Sequence, residues 1–586
     1  MKCSRYPASF AIIVVSLLLG SPVASGTVAA ASPVGAGIAP DRSIVIAASA
    51  ATYPTMKAEI IRSGARIVLE LPATNAIVIA AGSPNATVAA LAASPSVMGI
   101  GADKVRRIVP PEMAGTQPLA TPRGAALQPS VPAWRRLPDP AFSMPGLMWN
   151  IDRINAPAAW SRTIGRPNVL VGVADTGVDY THSELASQVV DVAVFTDPTL
   201  CKENTGYSDA DLAAMYGGPT DTDWNGHGSW IGGNIAAAAD GVGVNGIAPG
   251  VKLVALKIAE WCGYTYDSSI LGAFEYAADH GVNIVSISFG GYADRANPDE
   301  ELLYQQYVSM VAYARSRGTV IVASAGNEHA RIGVGGLVLS HGTLTNPGGS
   351  VTDLYGLYEV PGGLPGVVDV SATGNVVEAP SASCPAGTAD NYNATCKPSS
   401  DLHRPYGVGR RNALAYYSNY GPRIDIAAPG GARKFNLPGA DRGGTGGWPV
   451  TSADGTTAYE SFSTTSNWAM SIPCYFDLPG FYPGECYSTI QGTSMAAPEV
   501  SGVLALIASA KPAIAHNPAA LVAAMKLSAT RLWGNNPTPP LSATDTSPGD
   551  LTGVPCPTGY CHLGGSPIPD AEAYGAGLVN AAPNLR

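Results

Sequence analysis

Charged side chains are scarce in this chain of 586 residues: only 13% are Asp, Glu, Lys or Arg, against 46% hydrophobic residues. Acidic residues outnumber basic ones by 44 to 34, and the formal net charge of −10 disfavours a nucleic-acid partner, which would need a basic surface. The sequence has no Cys-x-x-Cys pair and no metal-like histidine spacing, which argues against a zinc site. After the N-terminal stretch no run of 18 apolar residues follows, so we expect no membrane anchor.

The N-terminal stretch itself has the pattern of an export signal. Lys2 and Arg5 precede an apolar run at residues 10–19, and small residues follow it. This order predicts a secretory signal peptide over residues 1–31, because the apolar run is too short to span a membrane. A buried N-terminal helix is the alternative. We therefore expect a secreted, extracellular protein.

Cysteine usage agrees with export. Cys3 leaves with the signal peptide, and an even number of cysteines remains, as expected for disulfides in an exported chain. Because short loops close at the lowest entropic cost, we expect sequence neighbours to pair, with free buried thiols as the alternative. The expected pairs are Cys201–Cys262, Cys384–Cys396, Cys474–Cys486 and Cys556–Cys561.

Two regions precede the bulk of the chain. Residues 43–108 contain strand-like runs (44–48, 67–71, 76–80 and, as one last strand, 97–100 with 105–108) and helix-like runs (53–62 and 86–93). Their order, βαββαβ, predicts a small ferredoxin-like α+β domain. Residues 109–146 are rich in proline and small residues, which predicts an extended, protease-accessible linker.

The remaining region, residues 147–586, alternates between two kinds of apolar run. Strand-like runs lie at residues 169–174, 251–258, 282–287 and 320–325, and Ala-rich helical runs lie at 231–239, 270–280 and 302–315. This alternation predicts an α/β domain with a parallel sheet flanked by helices.

The most informative segment is GTSMAAP (residues 492–498). Ser494 stands between a glycine-led turn and an Ala-rich run that predicts a buried helix over residues 495–508. At the start of such a helix, unpaired N–H groups and the helix dipole would stabilise an oxyanion formed beside a serine nucleophile. Asp175 ends a strand-like run, and His227 opens a second small-residue helix. These residues supply the orienting acid and the base that a serine nucleophile needs.

The three segments, in the chain order Asp175, His227, Ser494, resemble those of the subtilisin-like serine proteases, the subtilase family. The resemblance implies a three-layer α/β/α fold with a mainly parallel sheet. It also implies that Asp175 orients His227, that His227 accepts the proton of Ser494, and that Ser494 attacks the peptide carbonyl. Asn327, in VASAGNE (residues 322–328), matches the side-chain donor of the family's oxyanion hole.

Further segments resemble the parts of the family that contact substrate and propeptide. SFGG (residues 288–291) matches the segment that pairs with the substrate backbone, where glycines let a peptide approach closely. The expected substrate-binding residues are Ser288, Phe289, Gly290, Gly291, Ser324, Ala325 and Gly326. Residues 43–108 resemble the family's inhibitory propeptide, a folding chaperone and temporary inhibitor. Maturation is then expected to cut the linker, residues 109–146.

No cofactor is needed for this chemistry, but the resemblance implies a structural calcium ion. DGVGV (residues 240–244), together with Glu184, resembles the family's calcium loop, although the family usually has Asp at the position of Glu184. Oxygen ligands of this kind suit calcium. The expected ligands are Glu184, Asp240, Val242 and Val244. DTDWNG (residues 221–226) begins like an EF-hand loop, but Gly232 stands where the twelfth-position Glu is required, so we do not expect calcium there.

Three residues depart from the family pattern. Ser229 and Trp230 stand where Thr and His are usual, and Glu499 stands where His is common. A carboxylate on the first turns of the helix of Ser494 is stabilised by the helix dipole. Its negative charge near the nucleophile would affect the pH optimum rather than the presence of activity.

The interval between Asn327 and Ser494 is longer than the family core requires. The excess falls near residues 329–362, 375–413 and 431–488. These loops either rim the substrate cleft or are surface insertions.

The sequence therefore predicts a secreted, monomeric serine endopeptidase that forms an acyl-enzyme with protein or peptide substrates. It is expected to be made as an autoprocessed zymogen, with its own propeptide as inhibitor. An exopeptidase stays open as an alternative, because loops could close one end of the cleft. The segment NGHG (residues 225–228) counts against a serine-carboxyl peptidase, which needs an acidic residue instead of His227. The intact set of Asp175, His227, Ser494 and Asn327 disfavours a silent binding protein.

Overall fold

The computed structural model describes most of the two folded regions of the chain. The residues described are 42–80, 84–107, 137–144, 146–345, 351–378, 411–432, 450–452, 460–475, 478–534 and 568–582. The expected signal peptide, residues 109–136 of the expected linker, and the four cysteines Cys384, Cys396, Cys556 and Cys561 lie outside them.

The first folded region is a four-stranded antiparallel sheet with the strand order β2-β3-β1-β4. Its elements are β1 (Arg42–Ala47), α1 (Tyr53–Arg62), β2 (Arg66–Leu71), β3 (Ala76–Ala80), α2 (Pro84–Ala92) and β4 (Val97–Ala102), with a 3₁₀ turn at Pro72–Thr74. This is the βαββαβ order of a ferredoxin-like fold. We call this region the N-terminal domain.

Alternate side chains of this sheet belong to two different cores. Val45 and Ala47 pack with Met56 and Ile60 of α1, inside the N-terminal domain. Ile44 and Ile46 instead belong to a core that they share with the large domain. Since successive residues of a strand face opposite sides, the sheet is covered on both faces. Each fully buried isoleucine contributes about 1.5–3 kcal/mol, so the second face holds the N-terminal domain on the large one.

The strand that follows departs from the sequence prediction. β5 (Val105–Arg107) does not continue β4 as one last strand, because the chain leaves the sheet at Asp103. It pairs antiparallel with β9 (Tyr264–Tyr266) of the large domain, with Arg106 opposite Thr265.

The large domain is built on a seven-stranded, all-parallel sheet with the order β18-β16-β12-β10-β6-β8-β7. Its strands are β6 (Leu170–Asp175), β7 (Val189–Val194), β8 (Lys252–Lys257), β10 (Ile284–Ile287), β12 (Val320–Ser324), β16 (Val368–Thr373) and β18 (Ile426–Pro429). The four runs predicted as strands coincide with β6, β8, β10 and β12. Helices cover both faces, so the predicted three-layer α/β/α fold is confirmed.

The helices divide between the two faces of the sheet: α9 and α10 pack on one, and α8, α11 and α12 on the other. The helices are α3 (Trp149–Arg153), α4 (Ala156–Trp160), α5 (Ser183–Ala186), α6 (Pro198–Thr205), α7 (Asp209–Tyr216), α8 (His227–Ala236), α9 (Asp267–Asp279), α10 (Pro298–Ser316), α11 (Thr493–Ala510), α12 (Pro518–Ser528) and α13 (Asp570–Tyr574). Among the residues described, α11 is the one helix long and apolar enough to cross a membrane, and its apolar span is 94% buried in the core.

Short two-stranded ribbons lie in the interval between Asn327 and Ser494, and one of them includes β11, which precedes this interval. The ribbon strands are β11 (Gly291–Ala293) with β15 (Tyr358–Val360), β13 (Thr343–Thr345) with β14 (Val351–Asp353), β17 (Val376–Glu378) with β19 (Val450–Ser452), and β20 (Ser461–Thr464) with β21 (Tyr487–Ile490). A disulfide joins Cys474 to Cys486 beside the last ribbon, and another joins Cys201 to Cys262.

The end of the expected linker is folded on the large domain. A 3₁₀ turn at Pro140–Ser143 places Ala141 so that its N–H donates to the carbonyl of Gly243, at 3.0 Å. Asp139 is buried beside it and accepts from the N–H of Gly241 at 2.9 Å. The large domain thus begins before residue 147, which was the start predicted from the sequence.

Candidate active site

Asp175 is the last residue of β6, at the carboxyl end of the parallel sheet, where open α/β sheets place their sites. Its side chain is 1% exposed, and Oδ1 lies 2.8 Å from Nδ1 of His227. The N–H of Thr176 donates to the same oxygen at 2.8 Å. A carboxylate in this position fixes the proton of His227 on Nδ1 and leaves Nε2 as a hydrogen-bond acceptor.

His227 is the first residue of α8 and is fully buried. The preceding Gly226 has φ +103°, and a Cβ on it would lie 2.8 Å from the side chains of Ala469 and Thr465, so only glycine fits there. Nε2 of His227 has no hydrogen-bond partner within the described part of the chain. Burial alone would lower the pKa of His227, but the Asp175 carboxylate raises it above the ordinary value.

The carboxylate of Asp223 accepts hydrogen bonds from both of the loops that carry Asp175 and His227. Its Oδ1 accepts from Thr176 Oγ1 at 2.9 Å and from the N–H groups of Asn225 and Gly226 at 3.0 and 2.9 Å. Its Oδ2 accepts from the N–H of Ser229 at 2.8 Å. Because Gly226 has no side chain to cap α8, Asp223 satisfies an N–H group in the first turn of that helix.

Asp223 was not among the residues predicted from the sequence, where residues 221–226 were compared only with an EF-hand loop. The available signal was an Asp followed two residues later by Asn-Gly, a pattern typical of a side-chain-stabilised turn.

Ser494 is the second residue of α11, is 4% exposed, and follows Gly492 at φ +149°. Pro498 has no N–H, so it cannot donate to the Ser494 carbonyl as the fourth residue of a helix normally does. Ser288 Oγ donates to that carbonyl instead, at 3.1 Å. Because Pro498 leaves the Ser494 carbonyl without its helical donor, this carbonyl can accept from Ser288, the first residue of the expected substrate segment.

Asn327 contacts the same turn through one end of its side chain. Its Oδ1 accepts from both the N–H and the hydroxyl of Thr493, at 3.0 and 2.8 Å. These two hydrogen bonds fix the amide next to Ser494 and leave the N–H groups of Nδ2 for another acceptor. A negatively charged oxygen near Ser494 is such an acceptor.

The expected substrate segment SFGG lies against the chain itself. A Cβ on Gly290 would lie 2.8 Å from the carbonyl of Val360, and one on Gly291 would lie 2.7 Å from Nη1 of Arg106. Gly291 pairs with Val360 in the ribbon of β11 and β15. Phe289 is 1% exposed and packs in the core, so only its backbone is available to a ligand.

The second expected segment, Ser324 to Gly326, is held by Asn419. The Asn419 side chain donates to the carbonyl of Ala325 at 2.6 Å, and its N–H donates to the carbonyl of Gly326 at 3.1 Å. Gly326 has φ +94°, and a Cβ there would lie 2.5 Å from Asn419 Nδ2. These two carbonyls are thus engaged within the chain. The sequence analysis did not identify Asn419 as a positioning residue.

Two of the residues expected to bind calcium carry carboxylates that accept hydrogen bonds within the chain. Oε1 of Glu184 accepts from the N–H of Val244 and from the hydroxyl of Tyr487, both at 3.0 Å, and Asp240 Oδ1 accepts from the N–H of Val242 at 3.0 Å. Calcium needs six to eight inward-facing oxygens. Here Glu184 Oε1 and Asp240 Oδ1 each accept from an N–H of the loop, whereas Oε2 of Glu184 is buried and has no partner among the described residues. Within the described residues no three Asp, Glu, His or Cys side chains are grouped to hold a metal. The calcium site stays a prediction.

The departures from the family pattern serve packing. Ser229 Oγ accepts from the N–H of Asp179 at 2.8 Å, and Trp230 Nε1 donates to the carbonyl of Ser488 at 3.1 Å. Glu499 is fully buried, and its Oε1 accepts from the side-chain amides of two asparagines, Asn150 and Asn234. Burial raises the pKa of Glu499 to about 8, so its carboxyl is mostly neutral at pH 7.

Comparison with known proteins gives one family match and several relatives. The family model of the subtilases matches residues 166–545, more than half of the chain. Fervidolysin of Fervidobacterium pennivorans is 26% identical over 368 residues, which are 61% of this chain and 37% of that protein. M-protease of Shouchella clausii is 26% identical over 364 residues, which are 62% of this chain and 60% of that protein. Subtilisin Savinase of Lederbergia lenta is 25% identical over 364 residues, 62% of this chain and 85% of that protein. The chain thus matches less than two thirds of the length of the first two relatives.

Solved structures give the same fold. The crystal structure of fervidolysin, described as a keratinolytic enzyme related to subtilisin, has a TM-score of 0.53 at 20% identity, over 93% of this chain and 60% of that one. An epidermin leader peptide processing serine protease from Staphylococcus aureus has a TM-score of 0.53 at 18% identity, over 93% of this chain and 97% of that one.

Proposed function

The chain belongs to the subtilase family of serine proteases, and from this premise we propose that it is a secreted endopeptidase made as a zymogen. The observation that carries the proposal is the buried pair of Asp175 and His227 at the carboxyl end of the sheet, with Nε2 of His227 unpaired among the described residues. Ser494, the second residue of a buried helix, is the proposed nucleophile. Chemistry of this kind needs no cofactor.

In the proposed reaction, Ser494 Oγ attacks the carbonyl carbon of the scissile peptide bond while Nε2 of His227 accepts its proton. The Asp175 carboxylate holds the ring and stabilises the imidazolium that forms. His227 then donates the proton to the leaving amine, which leaves an acyl-enzyme on Ser494. A water molecule, deprotonated by the same nitrogen, hydrolyses the ester. In free enzymes the bond between serine and histidine is often long and forms fully with substrate, in keeping with the geometry of Nε2 here.

The oxyanion of the tetrahedral intermediate is proposed to bind the N–H of Ser494 and Nδ2 of Asn327. The fixed orientation of the Asn327 amide supports this role, because Thr493 holds its oxygen and leaves its donors pointing elsewhere. Loss of one such donor typically costs about 10²–10³ in kcat, a range established on a subtilisin, and we expect the same order for Asn327 because the family is shared.

The zymogen part of the proposal rests on the N-terminal domain. Its sheet packs on the helices α9 and α10 of the large domain, and its last strand, β5, pairs with β9. Extended peptides bind proteins in the same manner, by pairing as an additional strand with an exposed strand. Residues 105–107 thus occupy a place that a substrate backbone would use, and removal of the N-terminal domain would free it. The maturation cut is proposed to fall within residues 109–136.

Two experiments test the proposed function. A fluorophosphonate probe should label the wild-type protein at Ser494, and the Ser494→Ala variant should not be labelled. Wild-type protein should release internal fragments from an unfolded protein substrate, whereas the variant should release none. Release of single terminal residues only would favour an exopeptidase, and absence of both labelling and hydrolysis would favour a silent binding protein.

A further inference from the structure

Arg106 of the N-terminal domain inserts its side chain into a closed pocket of the large domain. Its Nε donates to Asp267 Oδ1 at 2.9 Å, and its Nη1 donates to the carbonyl of Tyr292 at 2.9 Å. The hydroxyl of Tyr307 donates to the same oxygen of Asp267 at 2.6 Å. Arg106 is 9% exposed and Asp267 is fully buried. An arginine on an extended strand is thus recognised by a carboxylate and a backbone carbonyl.

The pocket adjoins the expected substrate segment. Gly291, the last residue of that segment, lies against the guanidinium, since a Cβ on it would be 2.7 Å from Nη1. Tyr292, whose carbonyl accepts from Arg106, is the next residue. The backbone that carries Arg106 is strand β5, hydrogen-bonded to β9, and Asp267 follows β9 directly. The pairing of β5 with β9 therefore places the Arg106 side chain in this pocket.

The hydrogen-bonding capacity of this pocket is not filled by Arg106. Oδ2 of Asp267 has no hydrogen-bond partner within the described residues, and neither has Nη2 of Arg106. A buried carboxylate that loses its cationic partner is left with an uncompensated charge. Another guanidinium at the position of the Arg106 group would restore the ion pair with Asp267 and the hydrogen bond to the carbonyl of Tyr292. A neutral side chain would leave the carboxylate unpaired.

We infer that Asp267, with the carbonyl of Tyr292, forms a subsite that selects an arginine of the peptide substrate. This inference rests on the proposed function, since it assumes that a substrate replaces β5 after maturation. Arg106 precedes the region in which maturation is proposed to cut, so the selected arginine lies on the N-terminal side of the scissile bond. Asp267 then determines specificity without taking part in bond cleavage.

The test uses quenched fluorescent peptides and the mature wild-type enzyme. A single arginine is moved through each position on the N-terminal side of the cleaved bond, and each peptide is compared with one carrying citrulline, a neutral analogue of the same shape. Because hydrogen bonds to charged groups are stronger than neutral ones, arginine at one position should raise kcat/KM about 10- to 100-fold over citrulline. Equal rates for both peptides at every position would overturn the inference.

Two variants assign the effect to Asp267. Asp267→Asn should remove the arginine preference while the citrulline peptides are still cleaved. Asp299→Asn, which neutralises an exposed carboxylate on the first turn of α10, should keep the preference. An arginine preference that persists in Asp267→Asn would contradict the inference. If Asp267→Asn fails to fold, the wild-type comparison alone decides.

The same assay separates the two proposals. Cleavage of citrulline peptides by wild type, and its loss in Ser494→Ala, reports on the proposed function alone. Absence of cleavage for every peptide would overturn that function and the subsite with it.

Discussion

Replacement of Asp223 by alanine tests how the site is held together. The carboxylate accepts hydrogen bonds from the Thr176 hydroxyl and from the N–H groups of Asn225, Gly226 and Ser229. We expect it to act on catalysis only by positioning the loops that carry Asp175 and His227. Its loss should therefore affect stability, rate and pH dependence together.

The expected loss of stability follows from the groups left without an acceptor. Each buried donor that loses its partner costs about 1–3 kcal/mol, and water entering the truncated site recovers part of this. We expect a net loss of about 3 kcal/mol, a large fraction of the roughly 5–15 kcal/mol that holds a typical domain. A displacement of His227 by about 1 Å would lower kcat/KM about 10²-fold.

The pH profile distinguishes positioning from simple destabilisation. Three groups of effects act on the pKa of His227. Burial, the largest, lowers this pKa, and the Asp175 carboxylate raises it. The negative charge of Asp223 also raises it. His227 must be neutral to accept a proton, so activity falls as the pH falls through its pKa. Removal of Asp223 lowers that pKa, and the acid limb of kcat/KM should move to lower pH.

The assay combines three readouts with one control. Unfolding by urea is measured in the Ser494→Ala background, which prevents autolysis, and kcat/KM is measured against pH in the active background. Asp221→Ala is the matched control, since that carboxylate has one partner among the described residues, the Tyr180 hydroxyl, and should lose about 1 kcal/mol or less. If Asp223→Ala keeps the wild-type midpoint and rate, the account of this loop is wrong.

Three further perturbations have definite expected results. The folded-state pKa of Glu499, about 8, lies above the ordinary 4.5, so stability should decline as pH rises between these values. Glu499→Gln should flatten this decline in denaturation midpoints taken across neutral pH. Replacing Cys474 and Cys486 by serine opens a cross-link with a sequence separation of 12, and urea titration should show a loss of about 3 kcal/mol; an unchanged midpoint would refute the stabilising role. A calcium chelator should lower the thermal midpoint, because Oε2 of Glu184 is buried without a partner among the described residues and a bound cation would compensate this carboxylate; an unchanged midpoint would contradict the predicted calcium site.

The fold was predictable because its parts have local signals. Short apolar runs marked β6, β8, β10 and β12, and the run after Ser494 marked α11. In a parallel sheet buried on both faces, strands are apolar throughout, so each was visible without its neighbours. The N-terminal domain was predictable from the order of its strand-like and helix-like runs, apart from β5.

The features that were missed depend on contacts between distant parts of the chain. β5 is short, and its partner β9 lies far along the sequence, in the large domain. Asn419 and Asp267 are ordinary polar residues in the sequence and acquire a role only when the fold brings Ala325 and Arg106 to them. The contact of Tyr487 with Glu184, beside residues 240–244, likewise joins distant parts of the chain.

The most direct test of the central proposal is mass spectrometry of the protein expressed with its N-terminal region, beside its Ser494→Ala copy. The account predicts a wild-type product that starts within residues 109–137 and a variant that keeps its N-terminal domain. A purified Ser494→Ala variant that matured at the same bond would contradict autoprocessing by this serine. Two intact species without peptidase activity would contradict the proposed enzyme.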